Sequence, residues 1–424
     1  MPAQLLEGLL SEPDGIAASA LLALGLRLSP AGVAHDRAGW EALAADEAFV
    51  RDTSIVGTEH LLLALLSSLP GDWRALRAQL LQCQHALSPG GVWEAAETYP
   101  FSSLAPCAAE HPVITPLVAA EPAVGVSVAS TNGEAACYGW ADVARERPVE
   151  PTTPFRICSI SKIATALLLL RLQETGLVAL DDPATTYLRA FPLLDPEGEP
   201  SAVTLRELLT HTAGMPPGVG LRHYLGPVPA PAESFAEGIR AVRPAGSFAY
   251  SNLGFVALGQ VAADVLGRSY AEAVTSWVLE PLGLSDVAVA PVLPDDAARG
   301  YVVDAGQLVL VRSSAILAQG AGELVCSASS AARLAAAVMT DELISARSRE
   351  DLLGRYVVQP SGRWQGLAVR VEDRDGMLVA YHGGNWPGYT AAVYAADDGH
   401  AVAALANTNV SLLKGFLHAA FVGS

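Results

Sequence analysis

From Ser159 to Thr175 the chain reads Ser-Ile-Ser-Lys-Ile-Ala-Thr-Ala-Leu-Leu-Leu-Leu-Arg-Leu-Gln-Glu-Thr, followed by Gly176. The pattern predicts a helix over 159–175 that is apolar on almost every side, with the glycine as its stop. A helix of that kind lies inside a domain, not on its surface. The run from Leu167 to Leu170 is far too short to cross a bilayer. The rest of the chain must therefore supply layers that cover this helix from several directions.

Onto the first turn of that buried helix the sequence puts Lys162, three residues after Ser159. Only one other lysine, Lys414, occurs in the 424 residues; the remaining basic side chains of this kind are arginines. Arginine does not deprotonate near neutral pH, whereas a desolvated lysine amine can act as a base. Residues i and i+3 share a helical face, so the Ser159 hydroxyl and the Lys162 amine can meet. Poor hydration and the positive end of the helix dipole both lower the pKa of that amine. The pair points to a serine nucleophile. Ser411 and Lys414 repeat the same spacing, so the pair needs companions before it carries a function.

Two companions follow. Pro244-Ala-Gly-Ser-Phe-Ala-Tyr250-Ser-Asn252-Leu-Gly254 holds Tyr-x-Asn on a loop entering a helix. Val379-Ala-Tyr-His382-Gly383-Gly384-Asn385-Trp-Pro-Gly-Tyr389 places His-Gly-Gly at the end of a strand. With these, the chain resembles the penicillin-recognising serine hydrolases, in the branch of class C β-lactamases, D,D-peptidases and esterases. Further stretches carry the likeness: Gly139-Trp-Ala-Asp142, Leu208-Leu-Thr-His211-Thr-Ala-Gly-Met-Pro216, Pro281-Leu-Gly-Leu284 and Gly320-Ala-Gly-Glu-Leu324. They fall in order between about residue 108 and the C-terminus.

The resemblance implies an α+β fold of the β-lactamase/transpeptidase type, an antiparallel sheet flanked by helices plus an all-α lobe. It implies that Ser159 is acylated, and that Lys162 and Tyr250 share the removal and return of its proton. Asn252 would bind the acyl side chain and hold Lys162. His382, Gly384 and Asn385 would line the substrate, with the backbone N–H groups of Ser159 and Asn385 as oxyanion hole. His382 stands where β-lactamases carry the lysine of Lys-Thr-Gly, which favours esters over β-lactams. His211 reads as a loop-fixing residue, Tyr389 as packing, and Gly320 and Gly322 as turn residues.

The first hundred residues are of another kind, with helical stretches and few strand signals. Leu5-Leu-Glu-Gly-Leu-Leu-Ser11 is echoed by Leu61-Leu-Leu-Ala-Leu-Leu-Ser67. With Val56-Gly-Thr-Glu-His60 before the second copy, the stretch over about 3–83 resembles the repeat of Clp-type chaperone amino-terminal domains, with His60 in a structural role. The expected organisation is an all-α domain over 1–87, a Pro/Gly-rich linker over 88–107 and the hydrolase domain over 108–424. Through such an amino-terminal domain the chain would dock a protein partner.

Several classes are disfavoured. Neither lysine has Walker-loop context, so no nucleotide cofactor is expected. No His-Glu-x-x-His or paired Cys-x-x-Cys supports a metal. A net charge of −18 argues against nucleic-acid and anionic-membrane partners. Five scattered cysteines fit reduced thiols, and the acidic start (Glu7, Glu12, Asp14) is unlike a secretory signal, so a cytoplasmic location is expected. The expected activity is that of a serine acyl-enzyme esterase or transacylase acting on an ester or amide of a small metabolite, with an amine or alcohol as acceptor in the second case. The alternatives left open are a β-lactamase or D-amino-acid peptidase, and a non-catalytic ligand-binding or docking protein.

Overall fold

The computed structural model describes residues 97–100, 111–216, 231–304, 307–311, 318–374, 376–386 and 388–422. The Clp-like segment lies outside the described residues, as does most of the linker. One linker segment is described: Thr98–Pro100 pairs antiparallel with Gln307–Leu310.

The frame is a nine-stranded antiparallel sheet. Its strands are β1 (Gly125–Ser130), β2 (Ala135–Asp142), β3 (Arg147–Pro148), β4 (Val357–Val358), β5 (Trp364–Gln365), β6 (Arg370–Arg374), β7 (Met377–Trp386), β8 (Tyr389–Ala396) and β9 (Ala401–Ala406). They lie in the order β4-β5-β6-β7-β8-β9-β1-β2-β3. Thus the two ends of the hydrolase segment meet mid-sheet, where β9 pairs with β1. The central strands β8, β9 and β1 are runs of Ala, Val and Leu because both faces are covered.

The long apolar segment forms α1 (Ser161–Glu174), in which every residue from Ser161 to Leu170 is buried. It packs against α2 (Asn252–Leu266) and, with α3 (Ala328–Ala336), fills the larger core on one side of the sheet. A second core on the other face joins Tyr381 and Tyr394 to α4 (Leu413–Val422) and to the helix Ile114–Ala120. This is the sheet, flanking helices and helical lobe that the resemblance implied.

Two expectations on local structure need correction. The helix does not begin at Ser159: residues Cys158–Ile160 form a 3-10 turn and the α-helix starts at Ser161. The turn is entered through Cys158 at φ 51°, a left-handed conformation rarely adopted by a residue with a side chain. His382-Gly383-Gly384 does not end a strand. It lies inside β7, which continues to Trp386 and folds back through Gly388 (φ 79°) into β8.

The Gly320–Leu324 block also holds a buried carboxyl. Burial raises the Glu323 pKa to about 7, against an ordinary 4.5, although the Ala318 N–H donates to it. A carboxyl raised in the fold contributes stability that is fully present below pH 4.5 and is lost as the pH rises to about 7. Glu323 thus contributes a fall of ~3 kcal/mol between those pH values, against the rise that the buried neutral His211 and His382 contribute up to pH 6.5. Chemical denaturation of Glu323→Gln at the two pH values should show a change in stability more positive than that of the native chain by about 3 kcal/mol.

Candidate active site

The 3-10 turn presents Ser159 at the N-terminal end of α1, and the loop before α2 brings Tyr250 to it. The Tyr250 hydroxyl donates to Ser159 Oγ at 2.8 Å, and the Lys162 amine lies 3.0 Å from the same oxygen. Asn252, the first residue of α2, accepts from Lys162 Nζ at 2.7 Å. The Ala321 carbonyl accepts from it at 2.8 Å. Thus the structure brings Ser159, Lys162, Tyr250 and Asn252 into one hydrogen-bonded cluster. Ala321 was not foreseen as a partner; the sequence marks only the glycines on either side of it.

Lys162 has no exposed surface, and its amine stands 5.0 Å and 5.5 Å from the ring centroids of Tyr250 and Phe255. Burial lowers its pKa and outweighs the opposing influence of Tyr250; Arg370 adds to the lowering. Two of the three groups around Nζ, the Asn252 Oδ1 and the Ala321 carbonyl, can only accept hydrogen bonds. A neutral amine therefore spends its two N–H bonds on them and turns its lone pair to the third, Ser159. The Ser159 hydroxyl is the one proton source in that set, while Tyr250 donates to the oxygen being stripped.

His211 serves the loop. Its Nδ1 accepts from the Ser251 N–H at 3.1 Å, and its ring lies 4.4 Å from that of Tyr250. Burial first, then Lys162 and Arg370, hold its pKa well below 6.5, so it is neutral. The N-terminus of α2 is closed by Ser251, which accepts from Gly254 N–H at 2.9 Å. Tyr389 is buried and donates to the Ala298 carbonyl at 2.9 Å, which makes it a packing residue tied to backbone.

The fourth side of the site is β7. A Cβ on Gly384 would stand 2.3 Å from the Ile157 carbonyl oxygen, so only glycine lets the strand lie against the nucleophile turn. Next to it, Asn385 has a buried Oδ1 without a hydrogen-bond partner. His382 is buried, with Nδ1 2.6 Å from the Gly383 carbonyl. Burial, Arg370 and Lys162 hold its pKa well below 6.5, so Nδ1–H donates and the ring carries no charge. Arg370, on the neighbouring β6, is the cation whose field reaches Lys162, His211 and His382; its position next to the site was not legible in the sequence.

A half-buried serine that meets an amine and a phenol on this sheet-and-helix frame is the arrangement of the serine hydrolases of β-lactamase fold. The chain is a member of the Beta-lactamase family, whose profile matches residues 112–422. It is 26% identical over 279 residues to penicillin-binding protein 4* of Bacillus subtilis, covering 60% of each chain. It is 30% identical over 196 residues to the esterase EstB of Burkholderia gladioli, covering 42% of this chain and 49% of the esterase. The matches thus span 60% and 49% of these two relatives. Among solved structures, the octameric penicillin-binding protein homologue from Pyrococcus abyssi superposes with a TM-score of 0.62 at 26% identity, over 73% of this chain and 76% of that one. Among the described residues no helix is long and apolar enough to cross a membrane.

Proposed function

We propose that Ser159 is the acylated nucleophile of a cytoplasmic esterase or transacylase that acts on an ester or amide of a small metabolite. The observation that carries the assignment of the nucleophile is the arrangement of three groups about Lys162 Nζ. Because two of them only accept, Ser159 is the one of the three that can give the neutral amine a proton. Attack by Oγ on the substrate carbonyl passes that proton to Lys162 and leaves a tetrahedral oxyanion. The N–H groups of Ser159 and Asn385 are its proposed donors. Tyr250 then hands a proton to the leaving group, and Lys162 reprotonates Tyr250. The acyl-enzyme is released to water, or to an amine or alcohol. The intact Ser159, Lys162 and Tyr250 cluster speaks against a purely ligand-binding protein.

The substrate class rests on His382. A neutral imidazole spending its proton on Gly383 gives a β-lactam carboxylate no permanent cation at that position. The esterase relative agrees with this reading. Side-by-side kinetics with nitrocefin, a p-nitrophenyl ester, and the ester plus an amine test it. Turnover of the ester at least about tenfold faster than nitrocefin is expected, and a second, amide product in the presence of amine marks acyl transfer. Efficient nitrocefin hydrolysis with no ester turnover would restore a β-lactamase.

A further inference from the structure

Successive residues of β7 face opposite sides of the sheet. The missing side chain of Gly384 points at the nucleophile turn, while that of Gly383 points at Lys414 on α4, where a Cβ would meet the lysine Cε at 2.6 Å. On the α4 side, the structure holds a cavity of about 210 Å³ whose walls include none of Ser159, Lys162 or Tyr250.

Tyr381 and Tyr394 stack within it, their ring centroids 5.2 Å apart and their planes 13° from parallel. Arg363 and Arg370 lie over the Tyr381 ring, at 5.8 Å and 6.0 Å from its centroid. Arg374 and Lys414 complete a set of four permanent cations in one recess. Among the described residues lining it, one carboxylate, Glu372, is shared between Arg374 at 3.1 Å and His418 at 3.5 Å. Such a concentration runs against the character of a chain with net charge −18, and it includes one of only two lysines.

Cations brought this close repel one another unless an anion joins them. The recess also presents an unsatisfied polar atom. Tyr381 is only 6% exposed, yet its hydroxyl has no hydrogen-bond partner. Burial and Glu372 hold the Tyr381 phenol above its ordinary pKa, so it remains a donor. A buried hydroxyl is costly to leave unpaired.

We propose that this recess binds a phosphate group, either free or carried on a small organic molecule, at a site that excludes Ser159, Lys162 and Tyr250 and shares His382 with the acyl site. Guanidinium and ammonium donors come from β6, from the turn before β5 and from α4, so they reach the recess from several directions. That distribution suits a tetrahedral dianion better than a flat carboxylate, which takes one guanidinium fork. The cavity exceeds several times the ~30 Å³ share of a water molecule, which leaves room for an organic group beside the phosphate.

Isothermal titration calorimetry of the full chain tests the site, with inorganic phosphate, phenyl phosphate and succinate at constant ionic strength. Saturable binding of millimolar or tighter phosphate is expected. Tyr381→Phe, which keeps the ring, should weaken it about tenfold. Arg363→Gln with Arg370→Gln should weaken it at least about a hundredfold. Ser159→Ala should bind as the native chain does. Tighter binding of phenyl phosphate supports an organic phosphate as ligand, and equal binding supports the free ion. Absence of saturable binding, unchanged affinity in both the tyrosine and the arginine variants, loss of binding in Ser159→Ala, or succinate binding as tightly as phosphate would each overturn the proposal.

Discussion

Lys162→Arg is expected to lower the rate of acylation by ~10²–10⁴, nearly as far as Lys162→Ala does. A guanidinium stays protonated, so it keeps the charge and loses the lone pair that faces Ser159. The length and packing of the side chain are of secondary importance if the amine acts as a base. Tyr250→Phe should cost a similar factor, and the double variant little more than either single one, because both groups move the same proton. Stopped-flow acylation with an activated ester measures all of these.

The native rate should also rise with pH along a limb whose midpoint lies below 10.5, the ordinary lysine value, because burial depresses the Lys162 pKa. That limb should vanish in Lys162→Arg. Mass spectrometry of the intact chain gives the companion result: Ser159→Ala gains no acyl mass, while Ser161→Ala, whose hydroxyl is occupied by the Leu324 N–H at 3.1 Å, still does. An active Lys162→Arg, or an adduct that survives in Ser159→Ala, would defeat the assignment.

Gly384→Ala is expected to cost far more activity than a single methyl group would suggest. The new Cβ would stand 2.3 Å from the Ile157 oxygen and 3.1 Å from the Cys158 Cβ, both on the turn that carries Ser159. Neither contact can be relieved by rotating a flexible side chain. The strand must withdraw, and with it the proposed Asn385 donor. A loss of ~10²–10³ in kcat is expected from a displaced oxyanion donor, with a stability cost of about 1–3 kcal/mol from overpacking. Gly383→Ala provides the contrast. Its Cβ meets the Lys414 stem, which can move aside, so the rate should change far less. Equal activity losses in the two variants would show that β7 does not act through its contact with the nucleophile turn.

Much of this site is local, and local features are visible in a sequence. The Ser159 and Lys162 pair is three residues apart, so any helical winding brings the side chains together, whether the turn is 3-10 or α. The apolar run behind it dictates burial by itself, because no face of α1 can bear water. The glycines of β7 and the Tyr-x-Asn before α2 could be named from their patterns, although not the distances that would join them to Ser159. Their meeting places Tyr250 91 residues from its partner in sequence.

What only the tertiary structure decided depends on contacts between distant segments. The Ala321 carbonyl that takes one proton of Lys162 belongs to the backbone, and backbone leaves no mark of its own in a sequence. The left-handed Cys158 is a residue that no propensity would put there; it is held by the turn packed against β7. The neutrality of His382 comes from burial beneath neighbouring strands and from the field of Arg370. The cationic recess on the other face exists because strand pairing sets β6 beside β7 and α4, packed on β8 and β9, brings Lys414 and His418 to them. Hydrophobic patterning specifies which side chains are hidden from water, but the direction in which a polar atom points is fixed by the assembled fold around it.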